Sequence, residues 1–206
     1  AGDILEVLAT DSYRLAKKEI KLKDSYENEF NLVIPGKNLL ELARIVEDDK
    51  ENIYLHVFNN KVLFKYKNII FLSRLISGTY PVSSNIIPNE FKIDIECDYS
   101  TLFDMIDRAS LLTSDKDKNT IKLVLANKEL TISSNSPEIG KVEEKISIDN
   151  SSNISISFSS KYMLEAIKSF NSEKIHILMN DDNSPIIVKS DKETSLVQLV
   201  LPIKTY

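Results

Sequence analysis

The feature that most constrains this chain is an internal repeat. Residues 30–46 read FNLVIPGKNLLELARIV and residues 51–64 read ENIYLHVFNNKVLF; residues 154–170 read ISISFSSKYMLEAIKSF and residues 173–188 read EKIHILMNDDNSPIIV. A shift of 124 residues sets Phe30 on Ile154, Leu32 on Ile156, Ile34 on Phe158, Leu39 on Met163, Leu40 on Leu164, Glu41 on Glu165 and Arg44 on Lys168. The register slips by two residues in the next strand and recovers with Val62 on Ile186 and Phe64 on Val188. A repeat of this length is one supersecondary unit used more than once, each copy burying its apolar face against a neighbour.

Each copy predicts strand, helix, strand, turn, strand. Residues 154–158 alternate apolar and polar, the period of a half-buried strand. The helix follows Pro35-Gly36 in one copy and Ser159-Ser160 in the other, both entry signals. Asn59-Asn60 and Asp181-Asp182-Asn183 supply turn chemistry between the next two strands. A third copy lies between them. Residues 91–95 alternate, and residues 99–112 carry Leu102, Phe103, Met105, Ile106 and Ala109 at helical spacing. Residues 121–125 and 130–133 form strands around Asn127-Lys128, and 142–148 form a further strand. The modules therefore lie near 30–64, 91–148 and 154–201. The predicted fold class is α+β, built from repeated βαβββ half-domains with helices on one face and sheets on the other. Residues 5–10 and 14–22 read as two closing strands joined at Asp11-Ser12, like the end of a further module whose start is missing, so the chain is expected to be a fragment. The expected domains are 1–82 and 83–206, joined by the polar, proline-containing stretch 80–85.

Composition removes several function classes. Among 206 residues there is one cysteine, Cys97, which rules out a disulfide framework and a Cys-rich zinc site and favours an intracellular, cytoplasmic setting. Two histidines, His56 and His176, leave little material for a Ser-His-Asp hydrolase or a His-rich metal site. Four glycines form no phosphate-cradling string. No secretory leader pattern or membrane-length apolar run is visible. The formal net charge is −5, so the totals do not describe a basic nucleic-acid binder, though totals hide distribution. Lys37 and Arg44 share one helix face, as do their repeat equivalents Lys161 and Lys168, and Arg108 sits on the third helix. A helical side lined this way suits a phosphate backbone contacted without base reading. Lysines on ordinary solvated faces give the same pattern.

Three strings identify a resemblance. Ala9-Thr-Asp-Ser-Tyr-Arg-Leu-Ala16 resembles the A-T-D-x-H-R-L-A string of bacterial sliding clamps, the beta subunit of DNA polymerase III. Ser77-Gly-Thr-Tyr-Pro81 resembles the G-x-[FY]-P linker of that family, and Leu199-Val-Leu-Pro-Ile-Lys204 resembles its C-terminal string. The strings occur in the family's order, and the repeats match its duplicated half-domains. The resemblance implies a central domain without its start followed by a C-terminal domain. It also implies a head-to-tail dimeric ring in the full-length protein that encircles duplex DNA by topology, independent of sequence, with no catalytic site, metal or cofactor. Polymerase, clamp-loader and other proteins are implied to insert Q-L-x-L-F-type peptides into a pocket.

Carried over by position, that pocket comprises Thr10, Ser12, Tyr13, Arg14 and Leu15, then Pro81, Asn85, Ile86 and Tyr162, then Pro185, Leu199, Val200, Leu201, Pro202 and Ile203. Aliphatic walls would take Leu and Phe anchors and a few polar groups would orient the peptide. The chain departs from the family at Asn85, where a basic residue is common, at Tyr13, where His is usual, and in extending to Thr205-Tyr206. The DNA-facing set is Lys37, Arg44, Arg108, Lys116, Lys118, Lys161 and Lys168, and the dimer-edge positions are Leu111 and Leu112. Without the rest of the ring the fragment is expected to be a monomer. The alternatives are a metal-dependent nuclease using the acidic turns Asp48-Asp49 and Asp181-Asp182, and an interaction module unrelated to DNA.

Overall fold

A computed structural model describes residues 2–27, 29–78, 80 and 86–204. The expected joint at 81–85 and the extension Thr205-Tyr206 lie outside the described residues. Thirteen strands and three α-helices are assigned among them. Contacts divide the chain into two units. One holds Ala1–Asp3 and Leu22–Val82, the other Ile4–Lys21 and Ser83–Tyr206.

The larger unit contains two modules that exchange their first strands. The first module runs β6 (Ile93–Asp98), α2 (Tyr99–Ser110), β7 (Thr120–Ala126), β8 (Glu129–Ser136) and β9 (Gly140–Ser147). The second runs β10 (Ile154–Ser159), α3 (Ser160–Lys168), β11 (Lys174–Met179), β12 (Ile186–Lys189) and β13 (Leu196–Val200). β10 leaves its own module to pair antiparallel with β7, and β6 pairs antiparallel with β11. The result is a four-stranded sheet, β10-β7-β8-β9, and a longer sheet that contains β13-β12-β11-β6. The strands alternate as the sequence predicts: along β6, Ile93, Ile95 and Cys97 are buried and Asp94, Glu96 and Asp98 exposed. The inward residues join Leu102, Met105 and Ile106 of α2 and Met163 and Ile167 of α3 in one core shared by both modules. Cys97 lies in that core, where burial pushes its thiol pKa up to about 12 and keeps it unreactive.

The hairpin β1 (Gly2–Thr10) and β2 (Arg14–Tyr26) extends the longer sheet, because β2 pairs antiparallel with β13. Leu196 lies opposite Lys18 and Val200 opposite Arg14.

The smaller unit holds one module: α1 (Gly36–Ile45), β3 (Tyr54–Val57), β4 (Lys61–Tyr66) and β5 (Ile69–Arg74), the strands forming a three-stranded sheet. The strand expected at 30–34 does not form. In the larger unit the equivalent strand, β10, is held by β7 of the preceding module, and no described strand stands in that place for residues 30–34. The recorded backbone tie there is Ile76 N–H to Val33 O, 2.8 Å. Among the described residues, the core of this unit is small: Leu42, Val62 and Phe64 cluster, and Tyr66 is also buried. Phe30, Leu40, Tyr54, Ile70 and Leu72 are each more than half exposed.

The two histidines do not hold the same module position: His56 lies opposite Leu63 of β4, whose repeat equivalent Ile187 lies opposite Leu178, whereas His176 lies opposite Lys189. His56 is exposed. His176 faces outward on β11 between Glu96 of β6 and Lys189 of β12. Its Nδ1 lies 2.9 Å from Asp94 Oδ1, and its buried Nε2 lies 3.5 Å from Asp191 Oδ2, too far for a hydrogen bond. Partial burial disfavours the charged ring, but the Asp94 and Asp191 carboxylates outweigh it and hold the His176 pKa above its ordinary value.

Two outcomes are expected. Amides of β4 exchange with deuterium faster than those of β11, by roughly ten-fold or more, since the small core protects few of them; equal protection in the two strands would contradict this. A proton bound more tightly by folded than unfolded His176 stabilises the fold below pH ~6.5 and ceases to do so as pH rises through the folded pKa. Urea midpoints of the chain therefore fall between pH 6 and 8, and His176→Gln flattens that slope.

Candidate functional site

The pairing of β2 with β13 brings the two ends of the sequence together at one place in the larger unit. The register sets Leu15 opposite Leu199, Leu199 opposite Ile187, and Ile187 opposite Leu178. Because side chains alternate across a strand, these four residues of four neighbouring strands form one aliphatic row on the sheet face away from the main core. All four are buried, with Leu8, Ile86, Ile87, Phe91 and Val197 packed against them. Each aliphatic side chain so buried contributes about 1.5–3 kcal/mol.

Beside the row, where β2 starts and β13 ends, stands a polar and aromatic rim. The turn between β1 and β2 is locked by side chains. Asp11 Oδ1 accepts from the backbone N–H of Tyr13 and of Arg14, each at 3.1 Å. The Thr10 hydroxyl donates to Arg14 O at 2.7 Å and accepts from Ser12 N–H at 3.2 Å. Ser12 adopts a left-handed conformation, φ 74°, the tight turn this geometry requires. Partial burial works against the Asp11 charge, but these donors and Arg14 hold its carboxyl below the usual range.

The turn presents Tyr13 and Arg14 to α3. The Tyr13 ring stacks on Tyr162, centroids 6.3 Å apart, and the Arg14 guanidinium lies 4.6 Å from the Tyr162 ring centre. Arg14 Nε bonds Asp11 Oδ2 at 3.0 Å, and its Nη1 is paired with Glu165 of α3. Burial lowers the Arg14 pKa, but the two carboxylates outweigh it and the net direction is up. Leu201 N–H donates to Tyr13 O at 3.0 Å, and the Leu201 side chain remains 37% exposed. Pro202 bridges to Phe158, and Ile203 N–H donates to Ser157 O at 2.7 Å. Pro185 precedes Ile186, the partner of Val200, and so lies at the same end of the sheet as Leu201.

The structure thus gathers Thr10, Ser12, Tyr13, Arg14, Leu15, Ile86, Tyr162, Pro185, Leu199, Leu201, Pro202 and Ile203 at one end of one sheet. Val200 needs correction as a lining side chain. Strand alternation turns it to the opposite face, where it is fully buried in the main core, and its share in the site is the backbone pairing with Arg14. Pro81 and Asn85 lie outside the described residues. The sequence reading missed Leu178, Ile187, Phe91, Asp11 and Glu165. Leu178 and Ile187 fall in short apolar runs that suit strands, but only the register places them in line with Leu15.

The basic residues distribute unevenly. Lys37 and Arg44 are exposed on α1, in the smaller unit, where Arg44 pairs with Glu41 at 2.6 Å. In the larger unit Lys161 and Lys168 are exposed on α3, and Lys116 and Lys118 in the 115–118 turn. Arg108 on α2 is held by Glu144 in a two-pronged pair of 2.5 and 2.6 Å, and Asp104 and Asp107 are exposed on the same helix. Leu111, 74% exposed, follows α2, with Leu112 partly buried. The acidic turns are occupied by structural tasks. Asp49 accepts from Tyr66 Oη at 2.8 Å and pairs with Lys67 at 2.7 Å, which lowers its pKa to about 2. Asp181 caps the N–H groups of Asn183 and Ser184. Among the described residues no group of three or more His, Cys, Asp and Glu comes together, and no helix is long and apolar enough to cross a membrane.

Comparison with known proteins adds the following. Residues 1–82 match the family described as DNA polymerase III beta subunit, central domain, and residues 84–204 match DNA polymerase III beta subunit, C-terminal domain. The chain is 41% identical over 201 residues to the beta sliding clamp of Bacillus subtilis, and 40% identical over 200 residues to that of Staphylococcus epidermidis. In both cases 96% of this chain aligns with 53% of the relative, so the chain spans about half their length. The crystal structure of the DNA polymerase sliding clamp from Bacillus subtilis superimposes with a TM-score of 0.93 at 39% identity, covering 100% of this chain and 55% of that one.

Replacing Asp11 by Ala removes two backbone acceptor contacts and one guanidinium partner. It is expected to lower stability by about 1 kcal/mol in urea titration, the exposure of the turn limiting the loss, and to reduce the Tyr13–Tyr162 stacking seen in near-ultraviolet circular dichroism. An unchanged urea midpoint would show that the turn does not depend on Asp11.

Proposed function

The chain belongs to the DNA polymerase III beta subunit family, the sliding clamps, and we propose that it is the part of a processivity clamp that docks replication proteins by a short peptide. The observation that carries this reading is the aliphatic row Leu15–Leu199–Ile187–Leu178 with the rim of Tyr13, Arg14, Tyr162 and Leu201 beside it. Apolar anchors of a Q-L-x-L-F-type peptide, from polymerase or clamp-loader subunits, would extend that row at Leu201, Pro185 and Pro202. Arg14 and exposed backbone groups would orient the main chain. We take 1–82 as the central domain and 83–206 as the C-terminal domain. The chain acts by binding, in a cytoplasmic setting, with no catalytic step, metal or cofactor.

Within a longer chain we propose a head-to-tail ring around duplex DNA, held by topology and indifferent to sequence. Lys37, Arg44, Lys116, Lys118, Lys161 and Lys168 would face the phosphates. Arg108 would contribute less, its charge being met by Glu144 and flanked by Asp104 and Asp107. Leu111 and Leu112, just after α2, would meet the neighbouring protomer, and the chain by itself would be a monomer.

The test is a fluorescence-anisotropy titration of a labelled Q-L-x-L-F peptide against this chain, with Leu201→Asp as control. Leu201 is exposed enough for the variant to fold. Saturable binding is expected, weakened about ten-fold or more by the substitution. Absence of binding to folded chain, or binding indifferent to Leu201→Asp, would overturn the docking reading.

A further inference from the structure

Among the described residues, His176 Nε2 is the buried side-chain polar atom left without a hydrogen bond. Buried polar groups are nearly always satisfied, so such an atom needs a physical account. Charged groups surround the ring. On β6, Glu96 stands opposite and Asp94 two residues along; on β12, Lys189 stands opposite; on β11 itself, Lys174 shares the face. Lys174 is paired with Glu96, and Lys189 Nζ lies 5.5 Å from the Phe91 ring centre. What remains in front of the imidazole is one carboxylate on each side. Asp94 Oδ1 lies 2.9 Å from Nδ1, and Asp191 Oδ2 lies 3.5 Å from Nε2.

This arrangement suits one protonation state better than the other. In a neutral ring Nδ1–H donates to Asp94 and Nε2 keeps a lone pair. That lone pair faces an anionic oxygen and receives nothing from it. In the charged ring both nitrogens donate. Closing the 3.5 Å gap to about 2.7–2.9 Å would then make a second charge-assisted bond. Asp191 lies in the connection 190–195 between β12 and β13. Further along, this connection is tied without any proton: Glu193 N–H donates to Ser190 Oγ at 3.1 Å, Asn171 N–H donates to Glu193 Oε1 at 2.8 Å, and Glu19 N–H donates to Ser195 O at 3.0 Å. Asp191 is exposed, and His176 is its one recorded ion partner among the described residues.

We propose that His176 is a proton-operated latch: protonated, it bridges Asp94 and Asp191 and holds the β12–β13 connection against the sheet; neutral, it keeps Asp94 and releases Asp191. The ring binds its proton more tightly with the latch closed than open, so acidification closes it and rising pH opens it. The connection leads into β13, whose first residue, Leu196, lies opposite Lys18 of β2. The latch therefore acts at one end of the β2–β13 ladder.

A nitroxide label on Lys192→Cys tests this on the full chain. Lys192 is exposed, whereas Cys97 is buried with its thiol kept un-ionised, so the label goes to residue 192. Electron paramagnetic resonance spectra are compared at about pH 5.5 and about pH 8.5, on either side of the ordinary histidine range. Broader lines, from slower label motion, are expected at the lower pH. Asp191→Ala and His176→Gln are each expected to remove that difference, with circular dichroism verifying the fold. In Asp191→Ala the His176 imidazole resonances, followed by nuclear magnetic resonance, are expected to titrate at lower pH than in the unaltered chain. Lines indifferent to pH, a pH response that survives Asp191→Ala, or a His176 titration untouched by that substitution would each overturn the latch.

Discussion

The candidate site depends on one ladder of backbone hydrogen bonds, that between β2 and β13. Without it, the turn at Thr10–Arg14 and the strand ending at Val200 would be separate surface segments. With it, Arg14 lies opposite Val200 and Leu15 opposite Leu199. The ladder fixes register as well as proximity. A slip of one residue would turn Leu15 and Leu199 from the row to the other face, because strand side chains alternate. The row in turn gives the ladder its register, since Leu15 is only 3% exposed when it meets Leu199. Pairing and packing specify each other here, and the rim is a consequence of both.

The larger unit is held by a second device of the same kind. Each of its modules lends its first strand to the other, β6 to β11 and β10 to β7. Neither module can separate without breaking two ladders and opening a core to which both contribute, with α2 packed on α3. The smaller unit has the same module without that exchange. Residues 30–34 carry the right alternation and still form no strand. Alternation states what a segment can bury; a partner with free N–H and C=O groups decides whether it becomes a strand.

This bears on what the sequence made legible. The repeat, the three helices and most strands could be read from spacing alone, because each rests on a period local to ten or fifteen residues. The resemblance supplied most site positions, and the strings that carried it are the turn 9–16 and the strand 199–204 that the ladder joins. What the sequence did not disclose is which side chains meet across distance. Val200 looks like a lining residue in the string Leu199-Val-Leu-Pro and is a core residue in the sheet. Leu178 and Ile187 sit in runs of consecutive apolar residues, where period gives no face until the neighbouring strand is known. Glu165 offered no signal, as its partner is 151 residues away.

Glu165 also shows how a repeated scaffold acquires a specialised site without new architecture. α1 and α3 start from equivalent positions and keep the same glutamate. What differs is the surroundings: Phe103 of α2 draws Lys168 onto its ring, and the β1–β2 turn brings Arg14 within reach of Glu165. The turn can do so only because Asp11 fixes Arg14 and because β13 offers β2 an edge. A charge pattern ordinary for a solvated helix face on α1 thus becomes, on α3, a contact beside an apolar row. The chemistry of the rim is set by which elements the sheet brings beside the helix, and only secondarily by the residues the helix itself carries.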